Sequence, residues 1–156
     1  MREKNKVYEY IAVYVDDLLI AACDPGEITT QLIENHKFKL KGVGPLTYHL
    51  GCNYYRDALD GTLSYRPKKY IDKLVDQYKA MYGISPKEYK SPLEKGDHPE
   101  IDLSEELDNE GIKKYQTMIG CLQWAVSLGR FDIQTATMTM SRFCVAPRMG
   151  HLDQLK

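Results

Sequence analysis

Two runs of apolar, strand-forming residues flank an acidic pair near the start of the chain. Residues 7–22 read VYEYIAVYVDDLLIAA, with Asp16 and Asp17 between the runs. Apolar runs of this length on either side of a short polar break are typical of two strands joined by a tight turn. The pattern therefore predicts a β-hairpin whose tip carries both carboxylates within reach of solvent.

The pattern beyond the hairpin alternates between helical and strand spacing. Residues 27–38 have the spacing of a helix, and so do residues 69–82, which precede Gly83. Between them, residues 46–57 and 62–65 have strand character around the turn signal Asp60-Gly61. Residues 112–128 and 132–144 are predicted to be two helices, the second capped by Asp132. Because only residues 129–131 connect these two helices, we expect them to pack as neighbours.

A stretch rich in acidic residues and proline separates these regions. Residues 85–111 contain three prolines and nine acidic residues, which favours an exposed, mobile linker. We therefore expect three parts: residues 1–92, an acidic linker at residues 93–111, and a helical segment at residues 112–156. The predicted fold class is α+β, with the Asp16–Asp17 hairpin, a second β-hairpin and packed helices.

Composition narrows the class of protein but does not indicate a function. The chain has 156 residues, 43% hydrophobic and 28% charged, with a net charge of -1, which indicates a soluble globular protein. No apolar run is long enough for a membrane span or a signal peptide, so we expect no membrane partner and an intracellular location. The four cysteines lie far apart and are expected to be reduced and buried, and their spacing disfavours zinc.

The acidic pair is the feature that suggests chemistry. Two adjacent carboxylates repel each other, and a divalent cation relieves the repulsion. Oxygen ligands favour Mg²⁺ or Mn²⁺, and polymerases use two such ions for nucleotidyl transfer. From these residues alone, a metal site formed by Asp16 and Asp17 and a plain solvated turn are equally open.

The motif around the pair resembles the catalytic hairpin of reverse transcriptases from copia-type LTR retrotransposons. Residues 14–21 read YVDDLLIA, and further matches to the family follow in order. They are FKLKGVG with YHLG at residues 38–51, KYI at 69–71, SPL at 91–93, YQTMIG at 115–120 and RFDI at 130–133, then Ser141-Arg142-Phe143, Pro147 and His151. Gly42, Pro67 and Phe131 depart from the family's usual residues, which suggests a divergent branch.

The resemblance implies a fragment of an RNA-directed DNA polymerase. Residues 1–92 would be the end of the palm and a thumb-like region, and residues 112–156 a connection toward an RNase H domain. Asp16 and Asp17 would be the catalytic metal ligands. Tyr14 and Val15 would lie near the primer end or the incoming nucleotide. The implied partners are an RNA or DNA primer-template, dNTPs and the rest of the polyprotein, including integrase and RNase H. The implied location is a cytoplasmic virus-like particle or the nucleus.

The same resemblance implies that the chain is truncated. The family's first catalytic Asp precedes its hairpin, and neither that residue nor the fingers is expected here. We therefore expect Mg-dependent activity in the intact enzyme but not in this chain alone. The alternative is a decayed or repurposed element fragment that serves as a nucleic-acid-binding or interaction module.

Several other residues have competing interpretations. Lys68, Lys69 and Lys73 are candidates for phosphate contact, although a solvated helix face is favoured because Asp72 and Asp76 share the helix. Other expectations concern aromatic and charged residues: cross-strand packing for Tyr54, Tyr55 and Tyr65, a core position for Trp124, an ion pair between Arg130 and Asp132, and no informative role for His151.

Overall fold

The computed structural model describes residues 2–4, 7–93 and 98–156, and the positions of side chains from residue 7 onward within these ranges. The chain divides into two compact units, Met1–Thr47 and Tyr48–Lys156. The described residues form two small antiparallel sheets and five α-helices, in agreement with the predicted α+β class.

The first unit is a three-stranded sheet followed by a helix. The strands β1 (Arg2–Lys4), β2 (Val7–Tyr14) and β3 (Asp17–Ala21) are antiparallel in the order β1-β2-β3. Helix α1 (Pro25–Glu34) begins where the Asp24 carboxylate accepts a hydrogen bond from the Glu27 amide at 3.1 Å. It ends four residues earlier than the predicted limit of residue 38.

The second unit opens with another three-stranded sheet. Its strands are β4 (Tyr48–His49), β5 (Cys52–Arg56) and β6 (Leu63–Arg66), in the order β4-β5-β6. The single strand predicted at residues 46–57 is therefore two strands, because the chain reverses at Leu50 and Gly51, whose φ angles are +48° and +87°. Tyr54 pairs with Tyr65 across β5 and β6, and their ring centres lie 5.8 Å apart, which confirms the predicted cross-strand packing of these two residues. The same prediction was wrong for Tyr55, which lies opposite Ser64 and is 68% exposed.

The helices of the second unit mostly follow the predicted spacing. They are α2 (Lys68–Tyr82), α3 (Asn109–Ser127), α4 (Gln134–Ser141) and α5 (Met149–Leu155). Gly83 ends α2 in the left-handed conformation and donates its amide to Lys79, as predicted. The predicted contact between α3 and α4 is also confirmed, since the buried Tyr115 hydroxyl donates to the Met140 carbonyl at 2.7 Å. The core of this unit contains Leu107, Tyr115, Ile119, Met140 and Leu152.

Three predictions for this region were wrong. Asp132 does not cap α4: it lies in a 3-10 helix at Phe131–Ile133, where Arg130 bonds both of its carboxylate oxygens at 2.7 and 2.8 Å. That contact is the predicted ion pair. Trp124 is 38% exposed rather than in the core, because nine residues separate it from Tyr115 and place it on the opposite side of the helix. His151 is not part of an uninformative end, because it is only 3% exposed and lies within α5.

The acidic segment is more closely packed than expected where the structure describes it; residues 94–97 of the predicted linker lie outside the described residues. Pro99 and Leu107 are buried. The backbones of Glu105 and Leu107 bond with Met149 and Pro147, so this segment pairs with the start of α5. Composition does not indicate this pairing, because it is made largely by backbone groups.

Two glycines sit where another chain segment approaches closely. A Cβ atom on Gly129, whose φ is +102°, would lie 2.7 Å from the Tyr65 hydroxyl. A Cβ atom on Gly150 would overlap the Asp102 carboxylate. A side chain at position 150 would therefore displace the Asp102 carboxylate, and one at position 129 would displace Tyr65 and also strain the backbone.

The cysteines are all free thiols, as expected, but they differ in exposure. Cys52 is buried, and burial raises its pKa. Cys121 and Cys144 are half-buried, whereas Cys23 is exposed, contrary to the expectation of burial. Cys23 lies two residues beyond Ala21, the last residue of β3. At this position the apolar pattern of the sequence does not distinguish a buried side chain from an exposed one.

Candidate functional site at the Asp16–Asp17 hairpin

The acidic pair lies where β2 and β3 meet. Tyr14 pairs with Asp17, and the two residues Val15 and Asp16 form the connection between the strands. Because the loop has only two residues, the Tyr14–Asp17 pair must be the hydrogen-bonded pair that closes the hairpin. Asp17 is therefore fixed by the strand ladder, whereas Asp16 belongs to the turn.

The turn has an unusual backbone at its first residue. Val15 has a φ of +51°, a conformation that β-branched side chains rarely adopt. A positive φ at the first of two loop residues is the requirement of a type II′ turn, which usually places glycine there. The side chain of Val15 is also 82% exposed. The sequence therefore places a strained, apolar residue beside the carboxylates.

Both carboxylates are accessible to solvent. Asp16 and Asp17 are exposed, and Tyr14 is 47% exposed. Directly opposed residues of an antiparallel pair project to the same face, so the Tyr14 ring and the Asp17 carboxylate share one side of the sheet. The tip of the hairpin therefore presents two adjacent negative charges and one aromatic ring to the surroundings.

Asp16 and Asp17 are the two carboxylates that the hairpin tip offers as ligands to a cation. Within the described ranges, no group of three or more His, Cys, Asp or Glu side chains is arranged to hold a metal ion. The oxygen donors of Asp16 and Asp17 are of the type that Mg²⁺ or Mn²⁺ prefers, but Mg²⁺ demands six ligands in near-octahedral geometry. Further ligands would have to come from water, substrate or another part of a larger protein.

The lysines singled out in the sequence lie at the start of α2, in the second unit. Lys68 forms an ion pair with Asp72 at 2.8 Å, with both side chains well exposed. The ammonium group of Lys69 lies 4.5 Å from the ring centre of Tyr48, a geometry of cation–π attraction. Lys73 is exposed one turn further along the helix. Lys68 is therefore partly neutralised by its neighbour, and Lys69 is positioned over β4.

Sequence reasoning missed two residues that organise the second unit. Tyr48 was treated only as a strand residue, yet it carries the cation–π contact with Lys69. His151 stacks on Phe143 with ring centres 4.1 Å apart and bonds through both ring nitrogens. The sequence offered no strong signal for His151, which directly follows Gly150 and lies seven residues beyond the predicted end of the second helix at residue 144.

No helix among the described residues is both long and apolar enough to cross a membrane.

Comparisons with known proteins give three relatives. The chain is 29% identical over 151 residues to a transposon Ty5-1 protein of Saccharomyces cerevisiae, covering 94% of this chain and 46% of that protein. It is 28% identical over 153 residues to the retrovirus-related Pol polyprotein from transposon TNT 1-94 of Nicotiana tabacum, covering 94% of this chain and 11% of the polyprotein. It is 29% identical over 155 residues to the retrovirus-related Pol polyprotein from transposon RE1 of Arabidopsis thaliana, covering 99% of this chain and 10% of the polyprotein.

The matches extend over almost the whole chain but only part of each relative. The chain spans a little under half of the Ty5-1 protein and about a tenth of each Pol polyprotein. Neither a protein-family model nor a solved structure matches it. The yeast relative is named a transposon protein, and the two plant relatives are named retrovirus-related Pol polyproteins from transposons. The chain is thus related by sequence to retrotransposon Pol polyproteins, which confirms its predicted resemblance to copia-type LTR retrotransposons.

Proposed function

We propose that this chain corresponds to the part of a reverse transcriptase that contains the end of the palm, a thumb-like region and the connection that follows. In the intact polyprotein, Asp16 and Asp17 would bind the divalent ions of nucleotidyl transfer. The observation that carries the proposal is the exposed carboxylate pair at the closed end of an apolar hairpin. The relatives support it, because their names describe retrotransposon proteins and, in two cases, Pol polyproteins.

The side chains of Asp16 and Asp17 differ in conformational freedom, so the two residues would contribute differently to a metal site. Asp17 is held by its ladder pairing with Tyr14, so its oxygens would keep a fixed distance from the sheet. Asp16 lies in the turn and can rotate toward the same point. A fixed carboxylate and an adjustable one together can follow small changes in ligand geometry while keeping the site in place.

A divalent ion bound there would lower the pKa of the primer 3′-hydroxyl and neutralise charge on the leaving pyrophosphate. Tyr14, on the face that Asp17 shares, would contact the primer end or the incoming nucleotide through its half-exposed ring. Lys69 and Lys73, four residues apart on α2, share one side of that helix and would contact phosphates of the primer-template. Lys68 would contribute less, because Asp72 already neutralises it.

We propose that the isolated chain does not polymerise DNA. Its described residues supply two carboxylates at the hairpin and no larger ligand group, which is too few to fix two ions. The other ligands and the nucleotide-binding residues would come from the rest of the polyprotein. The same proposal places the protein in a virus-like particle or the nucleus, where the polyprotein would meet its template.

Manganese binding to the isolated chain tests the metal site directly. Mn²⁺ is paramagnetic and should broaden the backbone amide signals of residues 14–18 in an NMR spectrum. The Asp16→Asn and Asp17→Asn variants should each reduce this broadening. Asp57→Asn, in the acidic turn of the second hairpin, is the matched control and should leave it unchanged. Broadening that is centred elsewhere, or that survives both substitutions at the pair, would contradict the proposed site.

An activity assay tests the enzyme class. With primed RNA template, dNTPs and Mg²⁺, the isolated chain should show background incorporation. A longer Pol polyprotein that contains this sequence should extend the primer and lose at least about a hundredfold in rate on Asp16→Asn. Unchanged extension by that variant would overturn the assignment and favour an interaction or nucleic-acid-binding module instead.

A further inference from the structure

A basic segment follows α1 in the first unit and has no part in the proposed metal site. Residues 36–41 read HKFKLK, with a lysine at every second position from 37 to 41. The sequence contains no acidic residue between Glu34 and Asp57. This segment is therefore a local concentration of positive charge in a chain whose net charge is -1.

The ammonium groups of this segment have no carboxylate partner in the part of the chain that the structure describes. Lys37, Lys39 and Lys41 are exposed, and none of them forms an ion pair there. Three other lysines each pair with a carboxylate three or four residues away: Lys68, Lys114 and Lys156. A lysine just beyond the C-terminal end of a helix interacts favourably with the helix dipole, which accounts for Lys37 alone. The charges of Lys39 and Lys41 therefore have no structural role of that kind.

The backbone holds the segment beside α1 while its aromatic ring stays in contact with solvent. The Phe38 amide donates a hydrogen bond to the Leu32 carbonyl at 3.1 Å, and the Leu40 side chain is half-buried. The Phe38 side chain is nevertheless 57% exposed, and it lies between two lysines in the sequence. The segment therefore offers an aromatic surface and unpaired cations side by side, at a position that a backbone hydrogen bond fixes.

We infer that residues 36–41 bind a single strand of nucleic acid through its phosphates and one unpaired base. Each of the three lysines neutralises a phosphate and releases a counterion. The Phe38 ring stacks on a base, which is a contact that every base can make. Because phosphates and base faces are common to all strands, this binding does not depend on sequence. It uses neither Asp16 nor Asp17 and needs no metal ion, so it goes beyond the proposed function.

The chemistry of the segment favours nucleic acid over other anionic partners. A membrane surface is bound by an amphipathic helix with a broad apolar face, whereas residues 36–41 are not helical and expose one large apolar side chain, that of Phe38. An acidic peptide would pair with the lysines but would leave the Phe38 ring without a contact. A single strand of nucleic acid uses both the cations and the ring, since its phosphates and its bases are exposed together.

The salt dependence of binding tests the role of the lysines. Fluorescence anisotropy of a labelled oligothymidylate, with EDTA present, gives the Kd of the chain at several salt concentrations. Replacing all three lysines of the segment with glutamine should weaken binding and reduce the slope of log K against log salt by about 2, since each phosphate contact on a single strand contributes about 0.7. The matched control makes the same triple substitution at three exposed lysines elsewhere, and its slope should stay unchanged: Lys79, Lys87 and Lys113.

Replacement of the aromatic ring tests the stacking contact separately from charge. Phe38→Ala should weaken binding at least about fivefold and leave the salt slope unchanged, whereas Phe38→Tyr should keep the affinity. Equal loss of slope in the two triple variants would overturn the inference, and so would binding to vesicles of phosphatidylserine and phosphatidylcholine without binding to the oligonucleotide. Asp16→Asn should bind the oligonucleotide as the unmodified chain does, so failure here and failure of the proposed metal site are distinguishable.

Discussion

The Nε2 atom of His151 donates a hydrogen bond to the Pro99 carbonyl oxygen at 2.8 Å, while its Nδ1 atom accepts from the Arg148 amide at 3.0 Å. The two contacts together require the neutral Nε2–H tautomer. The ring is 3% exposed and stacks on Phe143. A single side chain thus joins the acidic segment to the first turn of α5.

Removing the His151 ring should destabilise the second unit. His151→Ala removes the acceptor of the half-buried Arg148 amide and leaves the Pro99 carbonyl with only the Asp102 amide as donor, at 3.3 Å. It also removes a buried ring that stacks on Phe143, so the free energy of unfolding should fall by about 2–4 kcal/mol. Urea denaturation followed by circular dichroism measures the change. The exposed His36 provides the control, and its replacement by alanine should alter stability by less than about 0.5 kcal/mol. Equal effects from the two substitutions would contradict this account of His151.

Two helical glycines should respond to alanine in opposite directions. At Gly150 a Cβ would overlap the Asp102 carboxylate, whereas at Gly120 it would meet nothing within 4 Å. Gly120→Ala should stabilise α3 by up to about 1 kcal/mol through helix propensity, while Gly150→Ala should lower the melting temperature because Asp102 must move. Differential scanning calorimetry of the pair provides the measurement. A stabilised Gly150→Ala variant would show that Asp102 yields at little cost.

The hydroxyl of Tyr70 should make stability depend on pH in the alkaline range. It donates to the Cys121 carbonyl at 2.8 Å, and burial raises the pKa of Tyr70 from 10.0 to about 12. Below pH 10 the phenol is neutral in both the folded and unfolded states, and its contribution is fully present. As pH rises from 10 to 12 the unfolded chain ionises first, so this contribution is lost.

Tyr70→Phe checks that dependence. The variant should lose about 1 kcal/mol at pH 7 with the hydrogen bond, and its stability should decline less steeply than that of the unmodified chain between pH 10 and 12. Chemical denaturation at several pH values gives both quantities. Tyr55→Phe, at a side chain that is 68% exposed, should preserve the original slope. A Tyr70→Phe variant with the same slope would rule out this residue as a contributor.

Glycine at position 15 should strengthen the first hairpin. Val15 has a φ of +51°, and glycine adopts that conformation without steric cost, so Val15→Gly should raise stability by about 1 kcal/mol. Val13→Gly is the matched control within β2, where lost strand propensity should lower stability by ~0.5–1 kcal/mol. The rate of hydrogen exchange of the Asp17 amide measures both effects, because this amide donates the hydrogen bond that closes the turn. Faster exchange in Val15→Gly would contradict the strained-turn interpretation.

The sequence was most informative where local chemistry dictates local structure. The apolar runs around Asp16 and Asp17 predicted a hairpin, and the positive φ of Gly83 follows from its place after a helical stretch. The connection after Leu128 is short, so contact between α3 and α4 was predictable. Each of these depends on residues within a few positions of one another.

Predictions failed where distant segments decide the outcome. His151 is buried because Pro99, some 50 residues earlier, accepts its hydrogen bond, and no local pattern encodes that partner. Trp124 was expected in the core from its apolar neighbours, but its angular position on α3 places it outside. The metal role of Asp16 and Asp17 stays a prediction for a similar reason, because two carboxylates gain a catalytic role only from ligands supplied elsewhere.

The close approach of Gly129 to Tyr65 limits which substitutions evolution can introduce at these two positions. A side chain at position 129 would meet the Tyr65 hydroxyl at 2.7 Å, and Tyr65 also stacks on Tyr54. A smaller residue at position 65 would remove this clash, but Gly129 also has a φ of +102°, a backbone conformation that side chains rarely adopt. Replacement of Gly129 therefore requires a change at residue 65 and a change of the local backbone together, so relatives should keep glycine at this position even where residue 65 is small.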